Sequence, residues 1–216
     1  MEAVLHIFAY LDKKHNSRME FDLTYPDIDM SVFKTCEWKE FYGQAKEPVP
    51  PDAPPPLGKE VDIRLYVDSD RAGDKATILS HTCYFIFLNS ALIIWFSKRQ
   101  PTVETSVFGA EFVAMKNGME ALRWIRYKLR IMGVTLSGPS FDYDDNMSVI
   151  HNTQRLESVL KKKPKSICYH ACCETVAMDE MLTGHVQSEN NSADLATKVL
   201  GGGVKRNGLI SHLLHD

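Results

Sequence analysis

The chain has 216 residues, 44% hydrophobic and 25% charged, with a formal net charge of −3. It is long enough to bury a real core and reads as one good-sized globular domain, alone or with a small appendage. No run of about 18 apolar residues occurs, which speaks against a membrane span, and the slightly acidic balance gives no overall signal for nucleic acid. The start, Met1-Glu2-Ala3-Val4-Leu5-His6, lacks the basic region of a secretory signal. The 5 cysteines, an odd and scattered set, point to reduced thiols and an intracellular location.

In chain order, residues 2–14 read as a short helix. Val4, Leu5, Phe8 and Leu11 make its apolar stripe, and Lys13-Lys14-His15 suit its carboxyl end. Met19-Glu20-Phe21-Asp22-Leu23 alternates as a strand does. Tyr25 to Gly43 carries Trp38, Phe41 and Tyr42 and is expected to pack against the rest. Pro48, Pro50, Pro51, Pro54, Pro55 and Pro56, closing at Gly58, remove backbone donors and favour extended geometry. They mark a linker over 48–59, leaving an N-terminal segment 1–47, a main domain 60–200 and a C-terminal tail helix 201–216.

The main domain opens on Val61 to Asp70. Ile63, Leu65 and Val67 alternate as one face of a half-buried strand, which ends on Asp68. Leu79–Leu88 and Ala91–Ser97 follow as strands, joined by the tight Asn89-Ser90 turn. Short connections make these three an antiparallel meander. Thr105 or Ser106 then caps a helix that runs to about Met132 and stops at Gly133. Val107, Ala110, Ala114, Met115, Leu122, Ile125, Leu129 and Met132 mark its core face, and Glu111 sits among them.

Ser140-Phe141-Asp142-Tyr143 is the next strand. A strand, a crossover helix and a strand form a right-handed parallel pair, so this strand belongs beside the Asp68 strand. Asp145 then lies at the same sheet edge as Asp68, where open α/β sheets hold their sites. Asp145 also fits a plain helix cap. Ile167–Leu182 reads as a helix with Cys168, Val176 and Met181 inward, and His185-Val186-Gln187 as a last strand. Cys168, His170, Cys172 and Cys173 lack a second ligand pair at zinc-finger spacing, and the cysteines read as buried free thiols. Ser192 is placed to cap a short helix with Asp194 in its first turn. Basic residues cluster at Lys98-Arg99, at Arg123, Arg126, Lys128 and Arg130, and at Lys161-Lys162-Lys163 with Lys165.

Asp68, Glu111, Asp145 and Asp194 thus have a common destination. Four converging carboxylates repel unless cations neutralise them, and hard oxygen ligands suit Mg²⁺ or Mn²⁺. Two such ions make a phosphoryl-transfer site. His185, ahead of Asp194, is placed to help the leaving group or product release, or to sit as an ordinary structural histidine.

The order of elements and acids resembles the ribonuclease H fold. The local wording is similar to the copia-type LTR retrotransposon branch. The resemblance is carried by Tyr66-Val67-Asp68-Ser69-Asp70-Arg71-Ala72-Gly73-Asp74, Ser97-Lys98-Arg99-Gln100-Pro101-Thr102-Val103, Ala110-Glu111-Phe112-Val113-Ala114, Tyr143-Asp144-Asp145-Asn146-Met147-Ser148-Val149-Ile150 and Ala193-Asp194-Leu195-Ala196-Thr197-Lys198. It implies an α/β fold: a ribonuclease H-like mixed five-stranded sheet, three strands as an antiparallel meander and the others parallel, flanked by helices, with a small N-terminal helix/strand appendage. It also implies cleavage of the RNA strand of an RNA/DNA hybrid with two Mg²⁺ ions, for which Mn²⁺ substitutes. Asp68, Glu111, Asp145 and Asp194 are then the metal ligands. The partners it implies are the hybrid and a reverse transcriptase domain of the same polyprotein, in the cytoplasm (virus-like particle) or nucleus. Asp144 stands where the family has a small residue or Cys, and Ser166 where it often has His. A catalytically inactive remnant that binds nucleic acid or protein is the alternative expectation.

Overall fold

The computed structural model describes residues 2–34, 37–74, 76–155, 166–198, 200–201 and 203–215. Cys36 and the basic run Lys161 to Lys165 lie outside these residues.

The N-terminal segment forms α1 (Glu2–Lys13) and α2 (Lys39–Tyr42), with a 3-10 turn between them at Met30–Val32. The stripe Val4, Leu5, Phe8 and Leu11 of α1 is exposed rather than packed. The alternating stretch 19–23 forms no ladder; its neighbour Arg18 makes an isolated bridge to His215. Period-two alternation makes a strand only where a partner edge supplies the hydrogen bonds.

β1 (Leu57–Val61) takes in the last residues of the proline-rich stretch and pairs in parallel with β5 (Val134–Leu136). The main sheet is built from β2 (Ile63–Asp74), β3 (Leu79–Leu88), β4 (Ala91–Arg99), β6 (Ser140–Asp144) and β7 (Met181–His185). Its spatial order is β4-β3-β2-β6-β7. The first three strands pair antiparallel, while β2–β6 and β6–β7 pair parallel. Asn89 turns the β3–β4 hairpin with φ 51, a conformation that Asn tolerates better than most side chains. This is the mixed five-stranded sheet of the ribonuclease H-like arrangement.

The alternation of β2 decides what each face buries. Ile63, Leu65 and Val67 join Phe112, Met115, Met119 and Leu122 of α3 (Val107–Ile131) in the main core. Tyr66 on the opposite face joins Cys83, Phe85 and Phe87. Ser106, rather than Thr105, caps α3 by accepting from the Gly109 amide, and Gly133 follows the helix with φ 72. Val107 and Met132, at the two ends of the expected core face, are exposed. Gly118 lets α3 approach the sheet: a Cβ there would lie 3.0 Å from Val67 and 3.2 Å from Leu65.

The expected helix to Leu182 and strand at 185–187 are both displaced. α4 (Met147–Thr153) follows β6, and α5 (Ser166–Ala177) ends before a turn in which Asp179 has φ 57. Met181 and Leu182 are apolar residues that suit either element. The parallel register Ser140↔Met181 to Asp144↔His185 settles them as strand. The chain closes with α6 (Asp194–Thr197) and α7 (Val204–Ser211).

The N-terminal segment docks on the outer face of β6 and β7. Phe33 bridges to Gly184 and packs its ring 5.1 Å from Phe141 and 5.2 Å from Tyr143. A Cβ at Gly184 would meet that ring at 2.6 Å, so only glycine leaves room for it. Among the described residues no helix is long and apolar enough to cross a membrane.

Candidate metal centre

The parallel pairing of β2 and β6 sets the site. The register matches Tyr66 with Tyr143. Two residues further on stand Asp68 and Asp145: Asp145 is the first residue past β6, whereas β2 does not end on Asp68 as its sequence suggested but continues against β3 to Asp74. Asp194 arrives from the first turn of α6. One carboxylate oxygen from each of Asp68, Asp145 and Asp194 lies within 4.8 Å of the other two. Among the described residues this is the one group of His, Cys, Asp and Glu side chains close enough to hold a metal.

Local bonds place each acid. The Asn191 side chain donates to the Val67 carbonyl at 2.8 Å and accepts from the Ala193 amide at 3.1 Å, which fixes the approach of α6 to the middle of β2. Ser192 is not the cap: Ala193 holds that position without a side-chain bond. Thr197 donates to Asp68, and Ser188 to Asp145. Asn146, not Asp145, caps α4 by accepting from Ser148 and Val149 amides, which leaves Asp145 free for the cluster.

Glu111 lies in the second turn of α3, 4% exposed, and its Oε2 has no hydrogen-bond partner among the described residues. It stands outside the three-acid group but near enough to feel it. Burial, and then the charges of Asp68 and Asp145, push its carboxyl well above the usual range. Asp68, 1% exposed, is raised chiefly by burial; Thr197 and Lys198 oppose the rise, and Asp194 and Asp145 add to it. A cluster of hard oxygen donors, with Asp68 and Glu111 penalised by burial and by their neighbours' charges, fits Mg²⁺ or Mn²⁺. The orphaned Glu111 oxygen points to the same kind of guest.

Two cations of the chain itself reach the cluster. The Lys198 ammonium is 3.2 Å from Asp68 and 3.9 Å from Asp145, and it donates to one oxygen of Asp194. Lys205 donates to the other oxygen of Asp194. The sequence displayed Asn191 and Lys205 without marking them, and Thr197 and Lys198 only as members of the motif around Asp194. A polar residue near an acid in sequence carries no signal of direction, and Lys205 reaches Asp194 only through the turn into α7.

His185 ends β7 in register with Asp144 and is half-buried. Among the described residues it makes no hydrogen bond to the acids. Asp144 is buried in β6, with one oxygen accepting from the Asn146 amide at 2.7 Å and the other unpartnered. Burial, then the charge of Glu111, raises its carboxyl strongly. The additional acid beside Asp145 is therefore enclosed in the fold, not presented at the surface. Cys83, Cys172 and Cys173 are buried thiols outside any disulfide, and Cys168 is a half-buried one.

Asp142 is a further acid inside the fold. Neither of its oxygens has a hydrogen-bond partner among the described residues, and burial alone pushes its carboxyl up to about 8. A raised carboxyl favours folding fully below its unfolded value of 3.8, and that contribution is lost as pH climbs through about 8. Asp142→Val is expected to stabilise the protein by about 1 to 3 kcal/mol, the cost of an unsatisfied buried group. Urea unfolding at pH 5 and at pH 8 checks this: the gain is larger at pH 8, and an equal or smaller gain there contradicts the assignment.

The sheet order, with Asp68 on the central strand and Asp145 just past its parallel neighbour β6, is the ribonuclease H-like α/β arrangement that the sequence resemblance implies. No protein-family model matches the chain. Its homologues are retrovirus-related Pol polyproteins of plant transposons. It is 29% identical over 143 residues to the Retrovirus-related Pol polyprotein from transposon RE1 of Arabidopsis thaliana, covering 66% of this chain and 10% of that protein. It is 27% identical over 143 residues to that from transposon TNT 1-94 of Nicotiana tabacum, covering 66% and 11%. The chain spans about a tenth of the length of the curated relatives it matches. Among solved structures it is similar to LC11-RNase H1 in complex with RNA/DNA hybrid, with TM-score 0.49 and 16% identity over 62% of this chain and 93% of that one. It is also similar to the N-terminal RNase H domain of rv2228c from Mycobacterium tuberculosis, with TM-score 0.48 and 10% identity over 71% and 96%.

Proposed function

We propose that this chain is the ribonuclease H part of a retrotransposon Pol polyprotein and hydrolyses the RNA strand of an RNA/DNA hybrid. The observation that carries this reading is the convergence of Asp68, Asp145 and Asp194, with the orphaned Glu111 beside them. These four would hold two divalent ions, Mg²⁺ or, in its place, Mn²⁺. Such a pair supplies an activated water and stabilises the departing oxygen of an in-line displacement. The chain's own residues orient that chemistry. Thr197 and Ser188 hold Asp68 and Asp145, and Asn191 holds the loop that carries Asp194. His185, at the carboxyl end of β7, is the candidate for assisting the leaving group.

Lys98 and Arg99 are exposed at the end of β4, beside a cleft of about 520 Å³. Gln100 lines the same cleft and donates to the carbonyl of Ala110, the residue before Glu111. A basic rim this close to the acids suits the phosphates of a duplex. Of the α3 basic run, Arg126 is buried on Glu47 and is structural instead. A reverse transcriptase domain of the same polyprotein is the partner that would add grip on the hybrid.

The test is cleavage of a labelled RNA/DNA hybrid by the purified chain with Mg²⁺ or Mn²⁺ and with chelator. Metal-dependent cutting of the RNA strand alone is expected. A folded protein that binds the hybrid and leaves it intact under all these conditions would make the chain a binding module.

A further inference from the structure

Lys198 reaches all three acids of the cluster. Its ammonium is 3.2 Å from Asp68 and 3.9 Å from Asp145 and donates to Asp194. Asp194 and Lys198 are four residues apart, so one turn of chain brings an acid and its counter-ion to one point. Lys205 takes the other oxygen of Asp194. Three clustered carboxylates repel one another strongly, and these two ammoniums oppose that repulsion. The Lys198 ammonium also conflicts with a divalent ion, because it already lies against one oxygen of each of the three acids that would be the ion's ligands. The Lys198 side chain is 38% exposed. Its flexible four-carbon stem can carry the charge out to water without moving the backbone.

We propose that Lys198 is the resident counter-ion of the acid cluster and that a divalent cation binds by displacing its ammonium, so that Lys198 sets the metal affinity of the site. The inference rests on reading the cluster as a metal centre. It makes two readouts move in opposite directions. Removing the ammonium lowers stability without metal, because repulsion among Asp68, Asp145 and Asp194 is uncovered, and it raises affinity for the ion, because the ion no longer competes with a fixed charge.

The experiment is calorimetric titration of the full chain with Mn²⁺, with thermal unfolding in chelator, for the wild type, Lys198→Met and Lys198→Arg. Lys198→Met is expected to bind Mn²⁺ about tenfold more tightly, equivalent to about 1.4 kcal/mol, and to melt lower in chelator. Lys198→Arg keeps the charge and is expected to behave as wild type in both readouts. If Lys198→Met fails to fold, Lys198→Gln carries the same expectation. Mn²⁺ binding by a neutral variant where the wild type shows none also supports the proposal. Unchanged or weaker Mn²⁺ binding in the neutral variants overturns it. Asp68→Asn separates the two readings. If the wild type binds Mn²⁺, Asp68→Asn does not, and Lys198→Met matches wild type, only the role of Lys198 falls. If neither wild type nor Lys198 variants bind Mn²⁺, this inference and the metal-dependent nuclease reading fall together.

Discussion

Asp68→Asn is expected to slow cleavage of a labelled RNA/DNA hybrid by on the order of a hundred- to a thousandfold, the loss that follows removal of a group stabilising transition-state charge. Asparagine has nearly the shape of aspartate, and its carbonyl still accepts from Thr197, so β2 keeps its bond to α6. What disappears is a negative charge between Asp145 and Asp194. That charge repels its neighbours in the metal-free protein and attracts a cation when one is present. Thermal unfolding therefore separates the roles. In chelator the variant melts no lower than wild type, because a buried charge raised by desolvation and by two neighbouring acids has been removed. In Mn²⁺ the wild type gains stability by binding linkage and the variant gains much less. A variant that cuts at the wild-type rate would remove Asp68 from the chemistry.

Glu47→Ala is expected to cost about 3 to 5 kcal/mol of stability, the loss seen when one partner of a buried ion pair is removed. Arg126 on α3 is 2% exposed and forks onto both oxygens of Glu47 at 2.8 Å. Its remaining donors go to the Gly138 carbonyl at 2.9 Å and the Ser140 hydroxyl at 2.8 Å, and Arg130 shares Glu47. Removal of Glu47 leaves the Arg126 guanidinium enclosed with neutral acceptors only. By contrast, Lys116–Glu120, a partly exposed pair on the same helix, contributes about 0.3 to 0.5 kcal/mol. Urea unfolding of Glu47→Ala and Glu120→Ala side by side measures the difference, and equal small losses would contradict it. The pH dependence has a definite sign. Burial pushes the Glu47 carboxyl up, but Arg126 and Arg130 outweigh it and hold the value below the usual 4.5. The pair's contribution is therefore full above 4.5 and is lost as pH falls through the lowered value. Because Arg126 joins Glu47 to α3 and to the start of β6, the loss also loosens the elements that carry Glu111 and Asp145.

Several elements were legible in the sequence because their determinants are local. Alternation at Ile63, Leu65 and Val67, short links between β2, β3 and β4, and the Ser106 and Gly133 stops of α3 require no partner to be read. The acids at 68, 111, 145 and 194 could be ordered along the chain, and the crossover rule put Asp68 and Asp145 on one edge. Period alone could not say where α5 ends and β7 begins, since Met181 and Leu182 suit both elements. It also could not foresee that Leu57–Val61 would find an edge in β5, while residues 19–23, with equally good alternation, would find none.

By itself the sequence determined the order of strands and helices and the set of carboxylates available for chemistry, because backbone geometry and hydrophobic period act over a few residues. Only the tertiary structure decided which charges meet. It enclosed Asp142 and Asp144, brought Asp68, Asp145 and Asp194 together with Glu111 beside them, and joined Glu47 to Arg126 across 79 positions. It also placed the Lys198 ammonium among the three acids. Electrostatic interaction depends on distance through space and on burial, and both are fixed only when the sheet has closed.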